Sequence, residues 1–151
     1  MTWLVVAGQF FHFALPPRYY AIHSFERDGR VYERVGIRWF KGLMQREPLS
    51  RLNPVLRLAS DRTLSALRRL DREMRKAETS HVYIFVLMLC LMVYALLRQW
   101  LDALLWVFVF NLIFNGYPIM LQRYNRARLK LLIDRRAVAQ ADSADDGWKA
   151  V

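Results

Sequence analysis

The chain has 151 residues, a formal net charge of +10 and one cysteine, Cys90. This length leaves room for one domain. A lone cysteine excludes an internal disulfide framework and a CxxC metal knuckle. The mean hydropathy of +0.07 averages two unlike populations, one strongly apolar and one rich in arginine, which excludes an ordinary small basic soluble domain.

Residues 1–15 are mostly apolar but contain Gln9 and His12, and Pro16 and Pro17 end the run. There is no basic n-region and no clean cleavage site, so residues 2–15 are expected to be a short or tilted span rather than a signal peptide. An interfacial or re-entrant helix is the alternative. Next comes a basic stretch, 18–79. Asp28-Gly29 is a turn signal, followed by a short helix or strand. Trp39 and Phe40, flanked by Arg38 and Lys41, read as an interfacial anchor, because aromatic rings favour headgroup depth and basic side chains snorkel from it. Pro48 and Pro54 bound a loop. From Asp61, a plausible N-cap, the pattern turns helical. Leu64, Leu67, Leu70 and Met74 recur at three- and four-residue spacing, and Asp71 and Arg75 stand four apart. No breaker separates this stretch from the apolar run 80–97, so one long helix is expected to carry both.

Arg98 and Gln99 interrupt, and a second apolar run covers 100–121, with Asp102 near its start. Each run is long enough for a hydrocarbon core of roughly 30 Å, which takes ~20 helical residues. Backbone groups in lipid must be satisfied within the segment, so the two form a helical hairpin. Two buried helices of a soluble bundle are the bland alternative, but these runs lack the polar face such helices carry. Gly116 and Pro118 are expected to loosen the second helix. The acidic, small-residue segment 139–151 reads as a flexible tail.

Charge sets the expected orientation. Residues 16–80 hold 15 Lys/Arg against 8 Asp/Glu, and residues 122–138 hold 6 against 1. Basic flanks stay cytoplasmic, so region 18–79 and the C-terminus are expected in the cytosol, and the Arg98 turn and N-terminus outside. The fold expected is an all-α, multi-pass cell-membrane protein with about three membrane-embedded helices. A single domain covers 1–138. Arginines beside membrane segments point to anionic lipid. Zinc-finger spacing, ribonucleoprotein signatures and glycine-rich phosphate loops are missing, so nucleic acid is not an expected partner.

Polar residues at a membrane edge are candidates for function because burying them unpaired is costly. Glu78 and His81 share a helical face where the helix enters the apolar zone. Asn111 and Asn115 share a face of the last span, and Gln122-Arg123-Tyr124-Asn125-Arg126 is a dense polar cluster at its cytosolic end. An antiparallel hairpin brings both ends to one membrane face. Imidazole can take a proton from an alcohol, and a carboxylate can orient the ring or act as the acid or base itself. Arginine can hold phosphate, and asparagine or arginine can face an oxyanion. These requirements suit acyl transfer from a phosphate-bearing donor to a lipid hydroxyl. The structural alternatives are a Glu78–His81 pair capping a turn, asparagines that glue helices, and arginines that anchor topology. A metal site would need Glu26, His23 or His12 to join Glu78 and His81.

The run from Glu73 to His81, EMRKAETSH, resembles the E-(T/M)-(R/K)-x-A-E-x-x-H segment of the small membrane acyltransferases named after glycosyl-4,4'-diaponeurosporenoate acyltransferase. The run from Asn115 to Leu129, NGYPIMLQRYNRARL, is similar to that family's N-x-x-P-I-x-x-Q-R-Y-N-R-x-R-L segment. Glu26, Gly29, Trp39 and Lys41 look like its upstream E-x-x-G…W-x-K pattern. The likeness spans roughly 24–130, is specific in the QRYNR block and is poor between 42 and 72. By position it implicates Glu26, Glu73, Glu78, His81, Asn115, Gln122, Arg123, Asn125 and Arg126. The family's named member attaches a fatty acyl chain to a sugar hydroxyl of a glycosylated carotenoid. The resemblance therefore implies an acyl-CoA-like donor and a glycolipid or carotenoid-glycoside acceptor.

The expected roles follow. His81 is the general base, assisted by Glu78. Arg123 and Arg126 hold the donor's phosphates. Asn115 and Gln122 orient acceptor or thioester, and Glu26, Glu73, Asn111 and Asn125 complete the substrate contacts. Direct transfer is expected, since Cys90 sits mid-span with no visible base. No cofactor or metal is expected. The rival is a non-enzymatic accessory subunit that binds lipid, pigment or a membrane-protein partner through Phe108, Phe110 and Phe114.

Overall fold

The computed structural model describes residues 15–44, 46 and 63–149, with side chains to residue 141. The expected span 2–15 lies outside the described residues except for Leu15, and the Pro48–Pro54 loop and Asp61 lie outside them too. The described residues are mostly helical. A 3₁₀ turn at Pro17–Tyr20 and another at Ser24–Glu26 precede α1 (Arg30–Glu33) and α2 (Ile37–Met44). Then come α3 (Leu64–Leu97), α4 (Leu101–Asn111), a π-helical turn (Leu112–Gly116) and α5 (Tyr117–Lys149).

α3 is the single long helix that the unbroken pattern called for. Thr63 caps it: its Oγ1 accepts from the Ala66 N–H at 3.3 Å, and its carbonyl accepts from Leu67 at 3.0 Å. At 34 residues it is about 50 Å long. α3 stops at Leu97 through a left-handed residue. Gln99 has φ 58, its N–H reaches the Leu96 carbonyl at 3.0 Å, and the Trp100 N–H reaches Ala95 at 2.9 Å. That pair of bonds is a Schellman motif, usually made with glycine. Tyr94 and Arg98 both pack on Trp100, with centroid distances of 5.9 Å and 5.6 Å.

Two helices, not the three expected, are found among the described residues to be long and apolar enough to cross a membrane: Leu64–Leu97 and the continuous stretch Leu101–Ala141. Only 6% and 17% of their most apolar windows are buried within the protein. A soluble core helix would be largely buried, so these faces fit a lipid surrounding better. α5 also takes in residues 139–149, for which a flexible tail is expected. Several of these positions are alanine, the strongest helix former.

The described chain divides into two compact units. One takes the chain up to Ala21 with Arg75–Arg123, and the other takes Ile22–Met74 with the chain from Tyr124. In the second unit Leu67 and Met74 of α3 form a small core with Leu129, and Leu70 and Ile133 pack against it. These are the apolar positions of the α3 repeat. Tyr32, Ile37 and Phe40 are buried, whereas Trp39 is 73% exposed, as an anchor reaching outward would be. Gly29 makes the turn before α1 with φ 75. A Cβ there would lie 2.9 Å from the Tyr124 ring, so glycine meets both a backbone and a packing requirement.

Candidate active site

In the first unit the polar residues of the two apolar helices form a chain of hydrogen bonds. His81 Nδ1 lies 3.4 Å from Asn115 Oδ1, Asn115 Nδ2 donates to Asn111 Oδ1 at 3.0 Å, and Asn111 Nδ2 donates to the Phe85 carbonyl at 3.1 Å. Asn111 and Asn115 are buried. Because the Asn115 amide nitrogen is committed to Asn111, its oxygen must accept, which assigns the histidine proton to Nδ1.

The π-helical turn explains how Asn115 comes to face His81. Tyr117 N–H bonds to the Leu112 carbonyl, five residues back. Pro118 has no N–H for the Phe114 carbonyl four residues before it. The Phe114 backbone is the second polar neighbour of the His81 ring. Gly116 keeps the turn close to α3: a Cβ there would sit 3.1 Å from Leu112 Cδ1 and 3.6 Å from the Phe85 ring. The loosening expected from Gly116 and Pro118 thus takes the form of a π bulge, a feature frequent at functional sites.

Glu78 is fully buried, and Arg123 Nη1 donates to its Oε1 at 3.3 Å. The same guanidinium donates to the Tyr19 carbonyl at 3.0 Å and the Ala21 carbonyl at 3.3 Å, and lies 5.4 Å over the Tyr19 ring. Burial and the facing Glu78 push the Tyr19 phenol up to about 12. Tyr20 is hydrogen-bonded to Thr79, and Arg75 lies 5.4 Å over its ring. Arg123 and Thr79 therefore tie the 3₁₀ turn Pro17–Tyr20 to the long helices. Gln122 is buried, and its Oε1 has no hydrogen-bond partner.

Three of the expected site residues have the following surroundings. The ring of His81 is oriented by Asn115, not by Glu78. Arg123 directs its donors to Glu78 and two carbonyls. Arg126 is 1% exposed, and its Nε donates to Asp71 Oδ1 at 3.1 Å.

The remaining candidates fall in the second unit. Glu26 is buried, accepts from the Tyr32 hydroxyl and from the His23 N–H at 3.1 Å, and so closes a capping box. Glu73 is half-buried on α3. Asn125 Oδ1 accepts from Lys41 Nζ at 3.3 Å, while its buried Nδ2 has no partner. Burial, aided by the charge of Arg128, holds Lys41 below the ordinary lysine range. Tyr124 is the hub that residue-type reasoning missed. Its hydroxyl donates to Glu33 at 3.0 Å and accepts from Arg128 at 2.6 Å, and Lys41 and Arg128 lie 5.6 Å and 5.5 Å over its ring. The only sequence signal for it was its place inside the QRYNR block. Among the described residues, no group of three His, Cys, Asp or Glu is placed to hold a metal ion.

The family described as glycosyl-4,4'-diaponeurosporenoate acyltransferase matches residues 16–135. The chain belongs to that family. The matched stretch takes in both polar groups described above and most of the two long helices. No curated protein and no solved structure matches the chain.

Proposed function

We propose that this chain is a multi-pass membrane acyltransferase. It moves a fatty acyl group from an acyl-CoA-like donor to a hydroxyl of a glycolipid or glycosylated carotenoid. Family membership supports the reaction class. The observation that carries the residue assignment is the His81–Asn115 hydrogen bond at the end of the apolar run. It orients the ring, and a neutral ring protonated on Nδ1 offers Nε2 as a base. In this reading Nε2 takes the proton of the acceptor hydroxyl as the oxygen attacks the thioester carbonyl. The tetrahedral intermediate collapses with loss of the thiolate, which recovers the proton from the imidazolium. The products are an ester and a free thiol. Gln122 Oε1, a buried acceptor without a partner, suits a contact to a substrate hydroxyl. Glu78 and Arg123 are positioning residues that hold the Tyr19–Ala21 segment. The basic flanks lie in the cytosol and the Gln99 turn outside.

A second reading rests on a different observation. Trp106, Phe110 and Phe114 recur every four residues as an exposed ladder, with ring centroids 5.9 Å apart at both steps. Such a face would suit an accessory subunit contacting pigment, lipid or a membrane-protein partner. The purified protein in detergent, given labelled acyl-CoA and candidate glycolipids, separates the two. Ester product supports the enzyme. No ester with any acceptor, together with loss of a multiprotein complex on deletion, favours the accessory role.

A further inference from the structure

With Arg123 and Arg126 committed internally, the donor's phosphates need another home. The second unit holds a groove of about 410 Å³ whose walls include Arg30, Arg128, Arg135, Asp28, Glu33 and Leu132. We propose that this groove binds the phosphorylated nucleotide end of the acyl donor. The proposal rests on the acyl-transfer reading and deepens it by naming where the donor is held.

The two carboxylates in the wall are already taken. Asp28 accepts from the Arg30 N–H at 3.0 Å and pairs with its guanidinium at 3.4 Å. Glu33 accepts from Tyr124 and pairs with Arg38 at 3.9 Å. Arg128 and Arg135 have no carboxylate partner among the described residues, so the groove keeps uncompensated positive charge. Arg128 is preorganised: Nη1 is bonded to the Tyr124 hydroxyl and the guanidinium lies over that ring, which Gly29 in turn admits. Its remaining donors form a planar fork suited to phosphate.

Spacing selects the ligand class. Arg128, Leu132 and Arg135 stand at i, i+4 and i+7 on α5, one face of a helix, and two turns separate the arginines by about 10 Å. That interval fits a ligand with two phosphate groups held apart rather than a single phosphate. Leu132, 47% exposed between them, offers an apolar floor for a base or sugar. A phospholipid headgroup shares the phosphate chemistry but presents one phosphate at the membrane surface.

The test is equilibrium binding of coenzyme A to the full chain in detergent, with pantetheine as the phosphate-free control. Anionic and zwitterionic phospholipid vesicles supply the headgroup arm. Arg135→Ala, an exposed side chain outside the Tyr124 network, should raise the coenzyme A Kd at least tenfold. Arg30→Ala should weaken it further, binding should fall with added salt, and vesicle binding should stay unchanged. Unaltered thermal unfolding shows that the variants are folded. Coenzyme A binding that ignores both substitutions overturns the proposal, and so does a loss confined to anionic vesicles. Ester formation is followed in parallel. Arginine-dependent binding without ester sinks acyl transfer and leaves the groove standing, whereas ester formed with binding indifferent to both arginines sinks the groove alone.

Discussion

Glu78 and Arg126 show how single residues here serve as buried partners. Each is almost without exposure and stands against a side chain of the opposite charge type: Arg123 for Glu78 and Asp71 for Arg126. Removing one member strands the other, a loss of about 3 kcal/mol or more. Asp71→Asn should therefore lower unfolding stability by that order, read by denaturant titration in detergent. Tyr19 offers a cleaner probe. Its folded pKa of about 12 exceeds the ordinary 10.0, so the folded state holds the phenolic proton more tightly. The associated stabilisation is complete below about pH 10 and is lost as pH rises through about 12. Ultraviolet titration should show one tyrosine ionising near 12. Glu78→Gln removes the charge and hydrogen bond that help raise it, and should bring the midpoint down toward 10 without reaching it, because burial is the larger cause.

At the scale of elements, the helices were legible and most of their polar partnerships were not. The Leu64–Leu97 helix follows from a three- and four-residue apolar repeat running without a breaker into an apolar run. The Asn111–Asn115 bond follows from i, i+4 spacing, and the turn at Asp28-Gly29 from its residue types. Partners of remote residues carry no local signature. Asp71 was matched with Arg75 by helix spacing, and it also pairs with the buried Arg126, 55 residues away. Glu78 was matched with His81 for the same reason. Local spacing finds neighbours on one helix, whereas burial rewards the charge on the facing helix. The π-helical turn was legible only as a weakness at Gly116 and Pro118, since no period marks a single extra residue. The hairpin yields a direct test. Gln99 occupies a left-handed position that costs a non-glycine residue about 1 kcal/mol, so Gln99→Gly should stabilise the protein by up to about that amount in thermal or denaturant unfolding.

For the whole molecule, orientation and activity can each be read directly. The exposed apolar faces of both long helices include Cys90, which is exposed within the protein's own surface. If these faces meet lipid, Cys90 should resist a water-soluble maleimide in sealed vesicles and react once detergent and denaturant are added. In a Cys90→Ser background, Arg98→Cys should label from the outer side and Arg30→Cys only after permeabilisation. Outer labelling at position 30 would reverse the orientation drawn from the basic flanks. That charge of +10 has two structural uses: much of it flanks the apolar helices, and some of it is turned inward as partners for buried carboxylates.

In the proposed reaction His81, oriented by Asn115, takes the proton of the acceptor hydroxyl. The most direct test of this step is the turnover of His81→Ala against the parent protein, with labelled acyl-CoA and an accepted glycolipid at saturation. Folding is checked in the same preparation. The expected result is a fall in kcat of about 100-fold or more with coenzyme A affinity unchanged. A folded His81→Ala protein that forms ester at the parental rate would contradict it.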